Sequence, residues 1–263
     1  MVLGVAVTLA IFTLPRQFVV WFPALFVVVG LHEFGAMAKV KSKGWKFVYV
    51  AFGSLLGAVG LALEFFNMAE TLLMASVVFW LLAITTVILF PTSRVFLERT
   101  GVVIFVGLAI MLGGWLGFVV ILEQEQGVWL LFWILSVTAM ADIGGYFFGR
   151  RFGHHKLLPR VSPGKTWEGV LGGYSLTLLG GYGLAIMTPV GERLGNGFGC
   201  LIVISLLFVL SIFGDLFESA LKRSADVKDS GSTLPGHGGL LDRIDSAVIC
   251  LPLFAVILVS YLV

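Results

Sequence analysis

The sequence predicts an all-α polytopic integral membrane protein of about nine transmembrane helices, with a cytoplasmic-facing polar site built by its C-terminal half. Three observations carry this expectation. Of 263 residues, 59% are apolar and only 12% are charged, with a mean hydropathy of +1.04, whereas roughly a quarter of the residues of a soluble domain are charged. Apolar runs of about 20 residues, the helical length that crosses a hydrocarbon core about 30 Å thick, recur along the chain. The basic residues collect in alternate connections between those runs, as the positive-inside rule predicts.

In order, the runs fall near residues 18–38, 46–63, 71–90, 101–121, 127–149, 169–188, 198–221 and 246–263, and each is a full span. The opening stretch from Val2 to Leu14 is short for a crossing before Pro15 and Arg16. It has neither the basic start nor the small-residue cleavage site of a signal peptide, so it is read as a ninth, thin or tilted span. One connection carries Lys39, Lys41, Lys43 and Lys46, and another carries Arg94 and Arg99. A third carries Arg150, Arg151, Lys156, Arg160 and Lys165, and a fourth Lys222, Arg223, Lys228 and Arg243. The intervening connections hold only Arg16 and Arg193 beside Glu64, Glu70, Glu123, Glu125 and Glu192. The basic connections are therefore expected in the cytoplasm, with the C-terminus outside and, for nine spans, the N-terminus inside. A bacterial inner membrane suits this pattern.

Composition excludes a soluble globular enzyme, a disordered chain and a collagen-like repeat, since the 33 glycines are scattered through apolar runs. A net charge of +2 argues against a nucleic-acid partner. Cys200 and Cys250 both lie in apolar stretches without metal-ligand spacing, so neither a disulfide scaffold nor a structural zinc site is expected. Two segments, Asp142 to Glu168 and Asp215 to Asp245, hold 9 of the 17 basic and 8 of the 15 acidic residues. Residues 1–126 accordingly read as N-terminal scaffold helices. Residues 127–263 read as the catalytic region, with cytoplasmic loops 150–168 and 222–245.

Within the second segment, Asp215, Glu218, Ser219 and Lys222 fall at i, i+3, i+4 and i+7 and share one helix face. An Asp215–Lys222 ion pair that fixes helix packing is the plain alternative to a site. Asp242 and Asp245 add a second carboxylate pair at the head of the last span. Hard oxygens offered from two helix ends suit Mg²⁺, which takes one or two carboxylates and keeps waters and substrate phosphates. Between the pairs runs Pro235-Gly236-His237-Gly238-Gly239, flanked by Lys222, Arg223, Lys228 and Arg243. It reads either as a tight turn or as a backbone cradle for a polyphosphate.

The first segment opens with Asp142, Gly145, Tyr146, Gly149 and Arg150 on one helical stripe, where the two glycines also suit close helix packing. Ser162-Pro163-Gly164-Lys165-Thr166 follows and enters a helix near Thr166. Gly-Lys-Thr matches the end of a P-loop, but Pro159 stands where the first glycine belongs and no strand is expected before it, so a Walker-type ATPase is rejected. Lys165, the helix start and Ser162 remain candidates for holding phosphate. His154 and His155 read as loop residues rather than metal ligands. His32 and Glu33 interrupt an apolar span, where Glu33 either pairs with a basic group or marks the span's cytoplasmic end.

The residues Ser219, Leu221, Lys222, Arg223, Lys228, Asp229, Gly231, His237, Gly238, Gly239, Asp242, Arg243 and Asp245 fill, without a gap, a pattern that resembles the signature of phosphatidate cytidylyltransferases, also called CDP-diacylglycerol synthases. The block from Asp142 to Gly169 is similar to a second block of that family, with Gly145 where alanine is usual. The resemblance implies transfer of a cytidylyl group from CTP to phosphatidate, a step of phospholipid biosynthesis that yields CDP-diacylglycerol and pyrophosphate. It implies Asp215, Asp242 and Asp245 as metal ligands for Mg²⁺, with room for a second, monovalent cation such as K⁺. Asp215, Ser219, Lys222, Asp242 and Asp245 are then expected as catalytic residues. Asp142, Ser162, Lys165, Arg223, Lys228, His237, Gly238, Gly239 and Arg243 would bind substrate. The expected partners are CTP, phosphatidate and the bilayer, and a homodimer is compatible with the sequence. An ion-coupled carrier and a CTP transferase acting on an ether-linked lipid phosphate are the competing functions.

Overall fold

Lipid offers backbone amides no water, so a chain that crosses it must satisfy them within each segment, and helices do this. The computed structural model describes residues 2–62, 66–195, 197–233 and 238–261. Over these the chain runs through α1 (Val2–Thr13), α2 (Arg16–Val19), α3 (Phe22–Met37), α4 (Lys43–Ala62), α5 (Phe66–Ile88) and α6 (Arg94–Leu97). It continues through α7 (Thr100–Glu123), α8 (Gly127–Phe152), a hairpin of β1 (Lys156–Leu158) and β2 (Ser162–Thr166), α9 (Trp167–Met187), α10 (Val190–Leu194), α11 (Phe198–Ala225) and α12 (Leu241–Tyr261).

Among the described residues, seven helical segments are long and apolar enough to cross a membrane: Arg16–Met37, Met68–Ile88, Thr100–Glu123, Gly127–Phe152, Trp167–Met187, Phe198–Ala225 and Leu241–Ser260. The protein is therefore a predominantly helical, multi-pass membrane protein. With 20 residues, α4 has the length that a core of about 30 Å requires. With 12 residues, α1 spans only about 18 Å at 1.5 Å per residue. Large apolar side chains cover the outside, with Leu179, Met187 and Phe198 each more than three-quarters exposed. Such a surface is untenable in water and normal against acyl chains.

Backbone contact, enabled by small residues, sets the helices around the site. Against α9, a Cβ at Gly144 would stand 2.7 Å from the Gly173 Cα, and one at Gly169 would stand 2.8 Å from the Gly145 oxygen. The structure thus puts Gly145 in the close packing that its spacing allowed. Where α11 crosses α12, a Cβ at Gly214 would come within 2.5 Å of the Asp245 carbonyl oxygen. Two buried indoles tie the interior with N–H donors, Trp133 to the Gly181 carbonyl at 2.8 Å and Trp115 to that of Val20 at 3.1 Å.

The hairpin departs from the expectation of an unbroken helix–loop–helix, because the Ser-Pro-Gly-Lys-Thr run is itself a strand. In it Lys156 pairs with Thr166 and Leu158 with Ser162. A strand therefore does precede Gly164-Lys165. It is only three residues long, and Lys165 lies inside the partner strand rather than in a loop, so no Walker cradle forms. Thr166 ends β2 and caps α9, its hydroxyl accepting from the Gly169 N–H at 3.2 Å.

Ion pairs mark the two ends of the bundle. At one end Arg16 meets Glu123 at 2.6 Å. At the other, Asp226 takes Arg94 at 2.7 Å and Lys39 at 3.6 Å, which gathers the ends of α3, α5 and α11.

Candidate active site

The carboxylates sit on helices because the site is built into the last three turns of α8 and α11 and the first two turns of α12. These helices run past the apolar stretches, to Phe152 and Ala225 and from Leu241, so their polar turns extend the walls of the bundle. Between α8, α9, α11, α12 and the hairpin lies a cavity of about 550 Å³. Asp142, Ser162, Lys165, Asp215, Asp242, Arg243 and Asp245 all line it, together with Arg150, Tyr146 and Gly164. Seven residues singled out from the sequence thus meet in one pocket, although they are drawn from two segments, 142–165 and 215–245.

One oxygen each of Asp215, Glu218 and Asp245 lies within 4.8 Å of the others, with Asp215 and Asp245 lining the cavity and Glu218 buried. Both Glu218 oxygens are buried, with Lys222 Nζ 2.5 Å from one of them. Asp245 Oδ1 accepts from the Ser246 N–H at 2.9 Å, while the Ser246 hydroxyl donates to Asp142 Oδ1 at 3.2 Å, so one serine holds two carboxylates. Ser219 donates to Asp215 Oδ1 at 3.3 Å, and Lys165 Nζ stands 2.7 Å from Asp215 Oδ2. Partly buried carboxylates crowded together repel one another unless a cation joins them. The cluster of three hard oxygen donors from α11 and α12 fits a divalent ion of that preference.

Asp242 is placed differently from the other two expected metal ligands. It accepts from Lys222 Nζ at 2.6 Å, from the backbone N–H groups of Ser230 at 3.1 Å and Gly239 at 2.9 Å, and from the Ser230 hydroxyl at 3.1 Å. The same carboxylate lines the pocket. Lys222 therefore bridges Glu218 and Asp242, and the Asp215–Lys222 pair that the spacing allowed does not form. Arg223 donates to the Val161 carbonyl at 3.5 Å and so ties α11 to the hairpin. Lys228 is exposed beyond α11. Gly238 takes a φ of +83°, the left-handed region that favours glycine, beside Asp242. His237 lies outside the described residues. His155 sits 2.6 Å from Glu168 at the rim, consistent with a loop role.

Two carboxylates at or beside this cluster are not among the residues the sequence singles out as a site. Glu218 was visible on the shared face of α11 but was not selected. Glu33, near the end of α3, accepts from the Ser230 hydroxyl at 2.8 Å, from the Thr233 hydroxyl, and from the N–H groups of Leu240 at 2.8 Å and Leu241 at 3.0 Å. Its position in an apolar span was the signal, but the spacing of residues gives no sign of partners about 200 positions away.

These features define a class: a polytopic membrane protein with a polar pocket at one end of its bundle, where acidic clusters and cations stand ready for charged groups presented from lipid and water. The profile of the cytidylyltransferase family matches residues 1–261, and the chain belongs to that family; it is a nucleotidyltransferase. It is 36% identical over 248 residues to the phosphatidate cytidylyltransferase of Pseudomonas aeruginosa, covering 94% of this chain and 90% of that one. To the phosphatidate cytidylyltransferase of Haemophilus influenzae it is 39% identical over 201 residues, 71% of this chain and 67% of the other. An uncharacterized Escherichia coli protein, YnbB, is 32% identical over 246 residues, covering 91% and 78%.

Proposed function

We infer that the protein transfers the cytidylyl group of CTP to phosphatidate, releasing pyrophosphate and leaving CDP-diacylglycerol in the membrane. The observation that carries this reading is the single pocket in which Asp142, Asp215 and Asp245 face Lys165 and Arg243 at the ends of apolar helices. That placement serves a reaction with one substrate in water and one in lipid. Family membership and the named relatives support the same chemistry.

In the reaction an oxygen of the lipid phosphate forms a bond to the α-phosphorus of CTP. The bond from that phosphorus to the α,β-bridging oxygen breaks, and pyrophosphate departs with the electron pair. Phosphatidate is already an anion, so no strong base is required, and positioning with charge neutralisation supplies most of the rate. Asp215, Glu218 and Asp245 would hold Mg²⁺, with Asp142 supporting through Ser246. The ion, when bound, neutralises charge on the phosphate oxygens. Asp242, which the motif also implicates, accepts from Lys222 on Oδ1 and from Ser230 and Gly239 on Oδ2, so the remaining lone pair of Oδ1 would let it join the ligand set. Lys165 now rests on Asp215 and would exchange that carboxylate for a phosphate, at similar charge-assisted strength. Lys222, held between Glu218 and Asp242, keeps one cation at fixed depth beside the reacting groups. Arg243, Lys228 and the Gly238–Gly239 turn would receive the β- and γ-phosphates, and K⁺ is a candidate second cation. Ser162 and Arg223 would support the phosphate side through the hairpin.

The same reading puts this end of the bundle in the cytoplasm of a bacterial inner membrane, where CTP is available, since it carries the Lys- and Arg-rich connections. The direct test is to supply tritiated CTP, Mg²⁺ and dioleoyl phosphatidate to purified protein in detergent. Label should enter the organic phase as CDP-diacylglycerol. Preferential labelling of an ether-linked lipid phosphate in a competition assay would reassign the acceptor. Solute flux in vesicles without nucleotide, with no labelled lipid, would reassign the class to a carrier.

A further inference from the structure

We propose that Glu33, on a helix of the N-terminal half, is a positioning residue for CTP, because its carboxylate anchors the loop that leads into α12. The inference rests on the reading that the Gly238–Gly239 turn, with Lys228 and Arg243, receives the nucleotide's phosphates. Glu33 is 1% exposed on α3, and four donors converge on it. Two of them, the N–H groups of Leu240 and Leu241, belong to the start of α12, where helix amides lack partners and a negative charge is favoured. The other two are the hydroxyls of Ser230 and Thr233 on the incoming arm of the loop.

The loop is fitted to the carboxylate. A Cβ at Gly231 would stand 2.9 Å from Glu33 Oε1, and one at Gly239 would stand 2.7 Å from Oε2. Both arms therefore close over Glu33 because each offers only a glycine there. Ser230 then passes the constraint onward. Its hydroxyl lies 2.8 Å from Glu33 and 3.1 Å from Asp242, and Asp242 holds Lys222, which in turn meets Glu218. A chain of polar contacts thus runs from the scaffold to the carboxylate cluster.

A carboxylate can accept on both oxygens, whereas an amide accepts on one and points N–H groups at the other donors. In the full-length protein, Glu33→Gln is expected to raise the KM for CTP about tenfold, the equivalent of losing one charge-assisted hydrogen bond. The KM for phosphatidate should change less than about twofold, because the lipid is not held by this loop. A nitroxide attached through Ser232→Cys, an exposed site, should become more mobile in the same variant; Cys200 and Cys250 are buried and spared from labelling. An unchanged CTP KM, or an equal rise for both substrates, overturns the proposal. A mobile nitroxide with both KM values unchanged would keep the anchor but refute the loop's part in CTP binding, the reading beneath it. If Glu33→Gln does not fold, Thr233→Val removes one of the four donors. It should show the same split at about two- to fivefold, and equal effects on the two substrates would again overturn the idea.

Discussion

Lys222 lies between Glu218 at 2.5 Å and Asp242 at 2.6 Å, with all three side chains at most 15% exposed. Removing one member of a buried ionic group leaves the others uncompensated, at a cost of about 3–5 kcal/mol. Lys222→Met is therefore expected to lower the melting temperature of the detergent-extracted protein as well as its turnover, and thermal denaturation beside an activity assay would show both. Asp215→Asn keeps the size but can accept from only one of Ser219 and Lys165, while it relieves repulsion within the carboxylate cluster, so it should lower the melting temperature less than Lys222→Met does while turnover falls by about 10²-fold or more. Lys41→Met, on an exposed connection away from the pocket, should change neither. At this scale the sequence revealed residues whose placement follows from local spacing. Asp215, Ser219 and Lys222 share a helix face, and Asp242 and Asp245 open the next helix. Spacing did not show which acid each lysine would choose, because the choice depends on how α11 and α12 cross. Nor did it show Glu33, whose partners lie 197 to 208 residues away and include backbone amides that any residue could supply.

Helices carry these side chains into register by touching at their backbones. Gly214 precedes Asp215 at the point where α11 meets the Asp245 carbonyl, so the separation of the two carboxylates depends on a missing methyl group. Gly214→Ala is expected to cost about 1–3 kcal/mol through overpacking and to impair turnover with it. Gly183→Ala, on α9 where nothing stands within 4 Å, should be neutral or stabilising by about 0.5–1 kcal/mol. Thermal denaturation of the two variants side by side checks the contrast. Apolar runs made the long helices legible, but hydropathy cut them short: α11 continues to Ala225 and α12 begins at Leu241. A charged turn looks like a loop to any average of hydropathy, even when its charges face a pocket inside the protein. The hairpin was hidden for a different reason, since strands of three and five residues, the second containing proline and glycine, are too short to show a period.

Across the whole molecule, Asp226 joins the end of α3, through Lys39, to the stretch after α5, through Arg94. Two helices that arrive at the same end require the chain between them to return, and α4 has the length to do so, which supports a crossing for it as well. Single cysteines test the resulting arrangement. In intact cells an impermeant maleimide should label position 125 at once and position 41 only after lysis; the opposite order would invert the protein. The alternation of charge was legible in the sequence, and so was the concentration of polar residues in the second half. The sequence did not reveal that Glu33 on α3, in the N-terminal half, bonds to residues on either side of the turn before α12, because those partners lie about 200 positions away. The central claim is that the pocket at the polar end performs metal-assisted cytidylyl transfer, and pyrophosphate release tests it most directly. Purified protein with CTP, Mg²⁺ and phosphatidate should release pyrophosphate only when lipid is present. Chelation should stop the release, and Asp245→Asn should abolish it while the protein stays folded. Release that continues in the folded variant, or without lipid, would contradict the account.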